Sequence, residues 1–102
     1  MARYRLTIRV KEVRGKCPLY QVGDEILIDR FFIDADRSRD VCMHAFSAMS
    51  TLLSAFIHGS SAVDLGIGSE EGVGYLQCPD PGPPCTEGGT VLFELRREAT
   101  KE

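Results

Sequence analysis

The residues best equipped for chemistry in this chain are four cysteines, Cys17, Cys42, Cys78 and Cys85. A thiolate is a soft ligand that suits zinc and iron–sulfur clusters alike. It is also a nucleophile wherever its pKa is lowered. The spacing, C-x24-C-x35-C-x6-C, matches no zinc-finger or ferredoxin pattern. What the four share is position, because each falls at an element end or in a loop. Element ends of a small sheet converge, so a common site is open to them. Two other readings stand beside a shared metal site. Free cysteine is among the most buried residue types and can simply fill a core. One of the four can instead be an activated catalytic thiolate.

Cys42 has an argument of its own. Ser38 or Asp40 offers a side-chain oxygen to cap a helix that runs from Val41 to His58. Cys42 then lies in the first turn, where the free N–H groups and the macrodipole favour a thiolate. His44 follows two residues later. Residues two apart do not share a helix face, so a Cys42/His44 pair needs an irregular first turn. His58 falls at the helix C-terminus and reads as a capping or surface residue. Asp80, beside Cys78, can assist a site or simply build a turn.

The elements that must position these groups are legible from periodicity. Arg3 to Val13 alternates, with Tyr4, Leu6, Ile8 and Val10 on one face, which predicts a half-buried strand. Glu25 to Ile33 reads as a second strand, apolar on much of both faces. The helix follows, with Gly59 as its C′ residue and Ser60–Leu65 as one further turn. Val73 to Gln77 is a short strand. Cys-Pro-Asp-Pro-Gly-Pro-Pro-Cys over 78–85 is a stiff loop holding four of the five prolines. Thr90 to Arg97 alternates again, with Val91, Phe93 and Leu95 inward. The expectation is an α+β fold: one domain over residues 1–98, a small mainly antiparallel sheet in ββαββ order, and one long helix packed across it. Ala99 to Glu102 is expected to fray.

With 102 residues, 43% of them hydrophobic, the chain can fill one core and not two. No apolar leader is expected, since Met1–Arg5 runs directly into the alternating strand. Val41–Ile57 is interrupted and too short to span a membrane. A cytoplasmic location follows as the expectation. In a reducing compartment the cysteines are thiols or metal ligands, and a Cys78–Cys85 disulfide is disfavoured. The formal charge of −3 argues against a general nucleic-acid binder. Arg3, Arg5, Arg9 and Lys11 share the outer face of the first strand and, if the last strand is its neighbour, form with Arg96, and Arg97 beside it at the edge, a basic sheet face that reads as solvated. A docking role there toward an acidic partner is the sharper alternative. No exposed aromatic is expected among those charges. Walker, dinucleotide, HExxH and GxSxG motifs are absent.

The helix carries a second signal. Between Val41 and His58 there is no Asp, Glu, Lys or Arg. Its polar positions, His44, Ser47, Thr51, Ser54 and His58, make one narrow stripe. A wet helix face ordinarily carries charge. The mild stripe predicts a covered face, either beneath the Ser60–Gly74 segment or in a homodimer through this helix.

Three segments together resemble a family of small uncharacterised bacterial and archaeal proteins of about this length. They are Gly15-Lys16-Cys17 with Val22-Gly23-Asp24-Glu25, Val41-Cys42-Met43-His44-Ala45, and Cys78-Pro79-Asp80-Pro81 continuing through Gly88-Gly89-Thr90-Val91 to Arg97. The resemblance covers nearly the whole chain and implies a pattern of Cys17, Cys42 and Cys78. It implies no activity. Cys85 departs from it, at a position where relatives carry an aromatic. A three-cysteine site then takes its fourth ligand from His44, Asp80, water or a partner. The leading expectation is a binding or accessory protein with zinc or an iron–sulfur cluster on Cys17, Cys42 and Cys78, and with Cys85 or His44 optional. A metal-free homo-oligomer with core cysteines and a thiol enzyme using Cys42 are the alternatives.

Overall fold

The computed structural model describes residues 3–100. The first strand, β1 (Tyr4–Gly15), forms where the alternation predicts it, and Leu6, Ile8 and Val10 are buried. After Val10 the apolar residues change phase, from even positions to Val13. A β-bulge between Val10 and Glu12 accommodates that change, and Val13 packs against the core with the rest. A bulge of this kind inserts one residue and re-aims the strand beyond it. The segment it re-aims leads into Cys17.

The stretch expected as one strand, Glu25–Ile33, divides into β2 (Glu25–Asp29) and β3 (Phe32–Ile33). Asp29 pairs with Phe32, and Arg30 takes φ 61°, so Arg30 and Phe31 form a two-residue hairpin loop. The apolar run gave no Gly or Asn to mark the turn. Phe31 is left 81% exposed. A single 3-10 turn, Ala35–Arg37, leads on.

The helix α1 is Met43–Ile57, shorter than the expected Val41–His58. Its N-cap is Cys42, whose side chain makes no capping bond. Neither expected cap stands at that position. The Ser38 hydroxyl is occupied elsewhere, donating to the Asp34 carbonyl and accepting from the Leu27 N–H, and the Asp40 backbone carbonyl, two residues before the N-cap, accepts the Tyr20 hydroxyl. The C-terminal end agrees with the sequence. Gly59 sits at φ 116°, and the Gly59 and Ser60 N–H groups return to Phe56 and Ala55. The turn after it closes through Leu65 N–H to the Ser61 carbonyl.

β4 is Val73–Gln77 and β5 is Gly89–Ala99. The sheet has five strands in the order β3-β2-β1-β5-β4, and every pairing is antiparallel. The fold is therefore α+β with one helix, in the chain order βββαββ. β5 outruns the expected boundary. Ala99 pairs with Tyr4 and the Thr100 N–H donates to the Arg3 carbonyl, so those two residues of the expected tail are held. The other two, Lys101 and Glu102, lie outside the described residues.

One core joins the inward faces of helix and sheet. Ala45, Met49, Leu53, Phe56 and Ile57 are the buried residues of α1, spaced as one helix face requires. Against them stand Leu6, Ile8, Val91, Phe93 and Leu95. Arg97 does not join the outer basic face. It lies between the rings of Tyr4 and Phe56, at 4.4 and 4.5 Å from their centroids. Its Nη1 donates to the Phe56 and Ser60 carbonyls, both at 2.7 Å. A cation thus satisfies the carbonyl end of α1, as the macrodipole favours.

Candidate functional site

Antiparallel order brings four chain segments to one end of the sheet. β1 ends there and β5 begins there, because Gly15 pairs with Gly89. β4 ends there as well, and α1 starts there. Between them lies a pocket of about 520 Å³, lined by Cys17, Cys42 and Cys78 together with His44, Asp80 and Tyr20. Pro18, Leu19, Ala45 and Val91 supply apolar wall. Three of the four predicted cysteines are therefore brought together. Cys85 is exposed and does not line the pocket. All four are free of disulfides.

Each pocket thiol is held by its own local geometry. The loop after β1 turns so that the Tyr20 N–H donates to Cys17 Sγ at 3.3 Å. The Val91 N–H donates to Cys78 Sγ at 3.2 Å, and that thiol reaches the Gly89 carbonyl at 3.6 Å. Cys42 is extended, at φ −71° and ψ 121°. The rule against pairing residues two apart applies only inside a helix. Cys42 precedes the helix, so it and His44 face the same pocket.

Tyr20 ties these parts together, and sequence reasoning missed it. Its hydroxyl donates to the Asp40 carbonyl at 2.9 Å and accepts the Cys42 N–H at 2.7 Å. Its ring meets Phe93 edge-on, 5.7 Å between centroids. Burial pushes the phenol above its ordinary pKa; the Cys42 N–H pulls it the other way, and the nearby Cys42 and Cys17 thiols add to the rise. The one signal available in the sequence was a tyrosine three residues past a cysteine in the loop between two strands.

The proline loop is built around Asp80. Its Oδ1 accepts the Gly82 N–H at 2.9 Å and the Thr86 hydroxyl. Those two bonds, the Thr86 hydroxyl foremost, hold the carboxyl below its ordinary range. The Asp80 carbonyl accepts the Thr90 hydroxyl at 2.6 Å. Two glycines let this loop close onto the end of β1. A Cβ on Gly88 would collide with the Asp80 carboxylate, and one on Gly89 would stand 2.5 Å from the Arg14 carbonyl oxygen. That close approach sets the Cys78 and Cys17 segments side by side.

Among the described residues, no group of three or more His, Cys, Asp or Glu side chains is placed to hold one metal ion. The thiols share a pocket without forming a single-ion coordination sphere. The pocket does combine soft donors, an apolar wall and the uncapped start of α1. The first N–H groups of a helix carry partial positive charge, which favours an anionic occupant or thiolates at this end.

The remaining predicted features lie elsewhere. His58 is at the far end of α1, with Nδ1 2.7 Å from the Ser54 carbonyl. The stripe His44, Ser47, Thr51, Ser54 and His58 is exposed throughout, so the Ser60–Gly74 segment does not cover it. Between α1 and the β2–β3 hairpin runs a second groove of about 360 Å³, with Phe31, Phe46, Leu53 and Ile57 in its walls. On the outer sheet face the cations meet carboxylates. Arg96 lies 2.7 Å and Lys11 3.8 Å from Glu94, and Arg5 lies 3.9 Å from Asp29. Tyr75 is 37% exposed beside Lys11, so one aromatic does stand among those charges. Among the described residues, no helix is long and apolar enough to cross a membrane.

Comparison with protein-family models, with curated proteins and with solved structures returns no match for this chain.

Proposed function

We propose that the chain is a small cytoplasmic binding or accessory protein that carries an iron–sulfur cluster in the three-cysteine pocket. One observation carries this reading: Cys17, Cys42 and Cys78, far apart in sequence, line one apolar pocket. Two features support it. Backbone N–H groups point at the sulfurs of Cys17 and Cys78, and such bonds stabilise thiolates and set cluster potentials. The uncapped N-terminus of α1 favours a net negative centre. Thiolates suit an iron–sulfur cluster and zinc alike, and elemental analysis separates the two. The three-segment resemblance implies the same three cysteines and leaves Cys85 out.

The test is anaerobic purification, reconstitution with iron and sulfide, and a visible spectrum with elemental analysis. The reading predicts bound iron and sulfide in fixed ratio to protein, with charge-transfer absorbance. Stoichiometric zinc in place of iron would replace the cluster with a mononuclear site. Binding of neither metal would remove the centre. Selective alkylation of Cys42 at mildly acidic pH would then support the thiol-enzyme alternative.

A second part of the reading concerns association. The exposed face of α1 is uncharged, and it adjoins the groove beside Phe31. A two-fold interface must be self-complementary, and a neutral face meets its own copy without like-charge repulsion. The reading is therefore a homodimer through α1. Sedimentation at micromolar concentration tests it: a dimer mass that reverts to monomer in Ser47→Glu and Thr51→Glu is expected. A monomer mass for the unaltered chain would contradict it.

A further inference from the structure

The hairpin between β2 and β3 holds an aromatic ring out in solvent. Phe31 is 81% exposed, more than any other large apolar side chain among the described residues. The turn that carries it is fixed. Arg30 is the one non-glycine residue at positive φ among the described residues, and such a conformation persists only where its surroundings hold it. Here the Arg30 N–H donates to the Tyr4 carbonyl at 3.0 Å, the Phe31 N–H donates to the Asp29 carbonyl at 2.7 Å, and the Arg30 guanidinium pairs with Asp29 at 2.9 Å. The Phe31 ring rests edge-on against Phe32, 5.2 Å between centroids. Beside this knob runs the groove of about 360 Å³ between the hairpin and α1. Buried Ile28, Leu53 and Ile57 and half-buried Phe46 line it, with exposed Ser50 and Ser54. Phe31 belongs to the same lining, yet its exposure shows that its ring does not fill its own groove.

We propose, resting on the homodimer reading, that Phe31 of each copy enters this groove on the other. Charge and symmetry both select a second copy as the occupant. Among the lining residues Arg30 is the only Asp, Glu, Lys or Arg, and Asp29 pairs with it, so the groove offers no unpaired charge to an acidic or basic partner. The adjoining helix carries none of those four residue types either, and two copies of this face close without like-charge repulsion. A two-fold contact requires that what one copy offers, the other receives. Knob and groove stand side by side on one face, so a single rotation seats both rings. An aromatic anchor in a pocket is also the arrangement that concentrates binding energy at an interface.

The experiment is sedimentation of the full chain over a range of concentrations, with two variants at exposed positions. Phe31→Ala removes the knob and keeps the groove; Ser54→Trp fills the groove and keeps the knob. Circular dichroism confirms that each is folded. Burying one Phe ring is worth about tenfold or more in affinity, so losing both insertions should weaken either dimer about a hundredfold. An equimolar mixture regains one insertion, because the ring of Ser54→Trp meets the open groove of Phe31→Ala. The mixture should therefore associate about tenfold more tightly than either variant alone. A Phe31→Ala protein that dimerises as tightly as the parent, or a mixture no tighter than its components, would overturn the exchange of rings and leave the helix dimer standing. A monomeric parent at micromolar concentration would overturn both and leave the groove to a different apolar partner.

Discussion

Tyr20 is where a single side chain does most to define the pocket. Replacing it with Phe keeps the edge contact to Phe93 but leaves the Cys42 N–H without its partner. A buried donor left unsatisfied costs about 1–3 kcal/mol, so Tyr20→Phe should lower the urea midpoint without changing the slope. The pH dependence follows with a definite sign. Burial raises the phenol pKa in the folded state. The unfolded chain then ionises first, and Tyr20 loses its contribution as pH rises from the ordinary phenol range through the raised value. Alkaline destabilisation should therefore be weaker in Tyr20→Phe than in the parent, measured as urea midpoints above about pH 9. A variant as alkali-sensitive as the parent would contradict this. Asp80 has the opposite sign. Its carboxyl is held low by Thr86 and Gly82, so its contribution is present above the ordinary carboxylate pKa and fades as pH falls through the lowered value. Asp80→Asn should flatten the acid side of the stability profile, and an unchanged acid limb would contradict it. At this scale the cysteines were legible because they sit at element ends. Tyr20 was not, because its partners, Asp40 and Cys42, are 20 and 22 residues away and only the fold brings them near.

The elements explain why those residues meet. Gly89 lets the proline loop close on β1, and a methyl group there would stand 2.5 Å from the Arg14 carbonyl oxygen and 2.8 Å from the Lys16 nitrogen. Both obstacles are backbone, which gives little. Gly89→Ala should cost about 1–3 kcal/mol by overpacking, seen as a lower thermal midpoint, and should reduce cluster uptake in the folded fraction. Unchanged stability and uptake would show that the close approach is not needed. At the other end of the helix, Arg97→Ala removes two bonds to carbonyls and two ring contacts. A loss of about 2 kcal/mol or more is expected in denaturant unfolding, and a change near zero would contradict the capping role. The strict alternation of β1 and β5 made those strands readable, as did Gly59 for the helix end. The hairpin at Arg30–Phe31 was hidden because apolar residues flank Asp29–Arg30 on both sides and no Gly or Asn marks the turn. The helix start was misplaced because Ser38 and Asp40 have the chemistry of caps, yet the Ser38 hydroxyl bonds Asp34 and Leu27 instead and the helix begins only after Cys42. The inward turn of Arg97 follows from its place in the alternation after Val91, Phe93 and Leu95, which its charge obscured.

Across the molecule, one end of the sheet gathers the soft donors and the positive end of the helix, while the opposite end is closed by Arg97. The α+β class and the antiparallel sheet were legible from periodicity. The membership of the pocket was legible only in outline, since sequence spacing cannot say which side of the proline loop faces inward. That loop leaves Cys78 in the pocket against β5 and Cys85 exposed. The account therefore stands on the claim that three thiols, and not the fourth, act as one ligand set. The direct measurement is iron and sulfide content of the four single Cys→Ser variants after identical anaerobic reconstitution. The account predicts loss of the cluster in Cys17→Ser, Cys42→Ser and Cys78→Ser, and parental content in Cys85→Ser. Equal content in all four variants, or loss confined to Cys85→Ser, would contradict it.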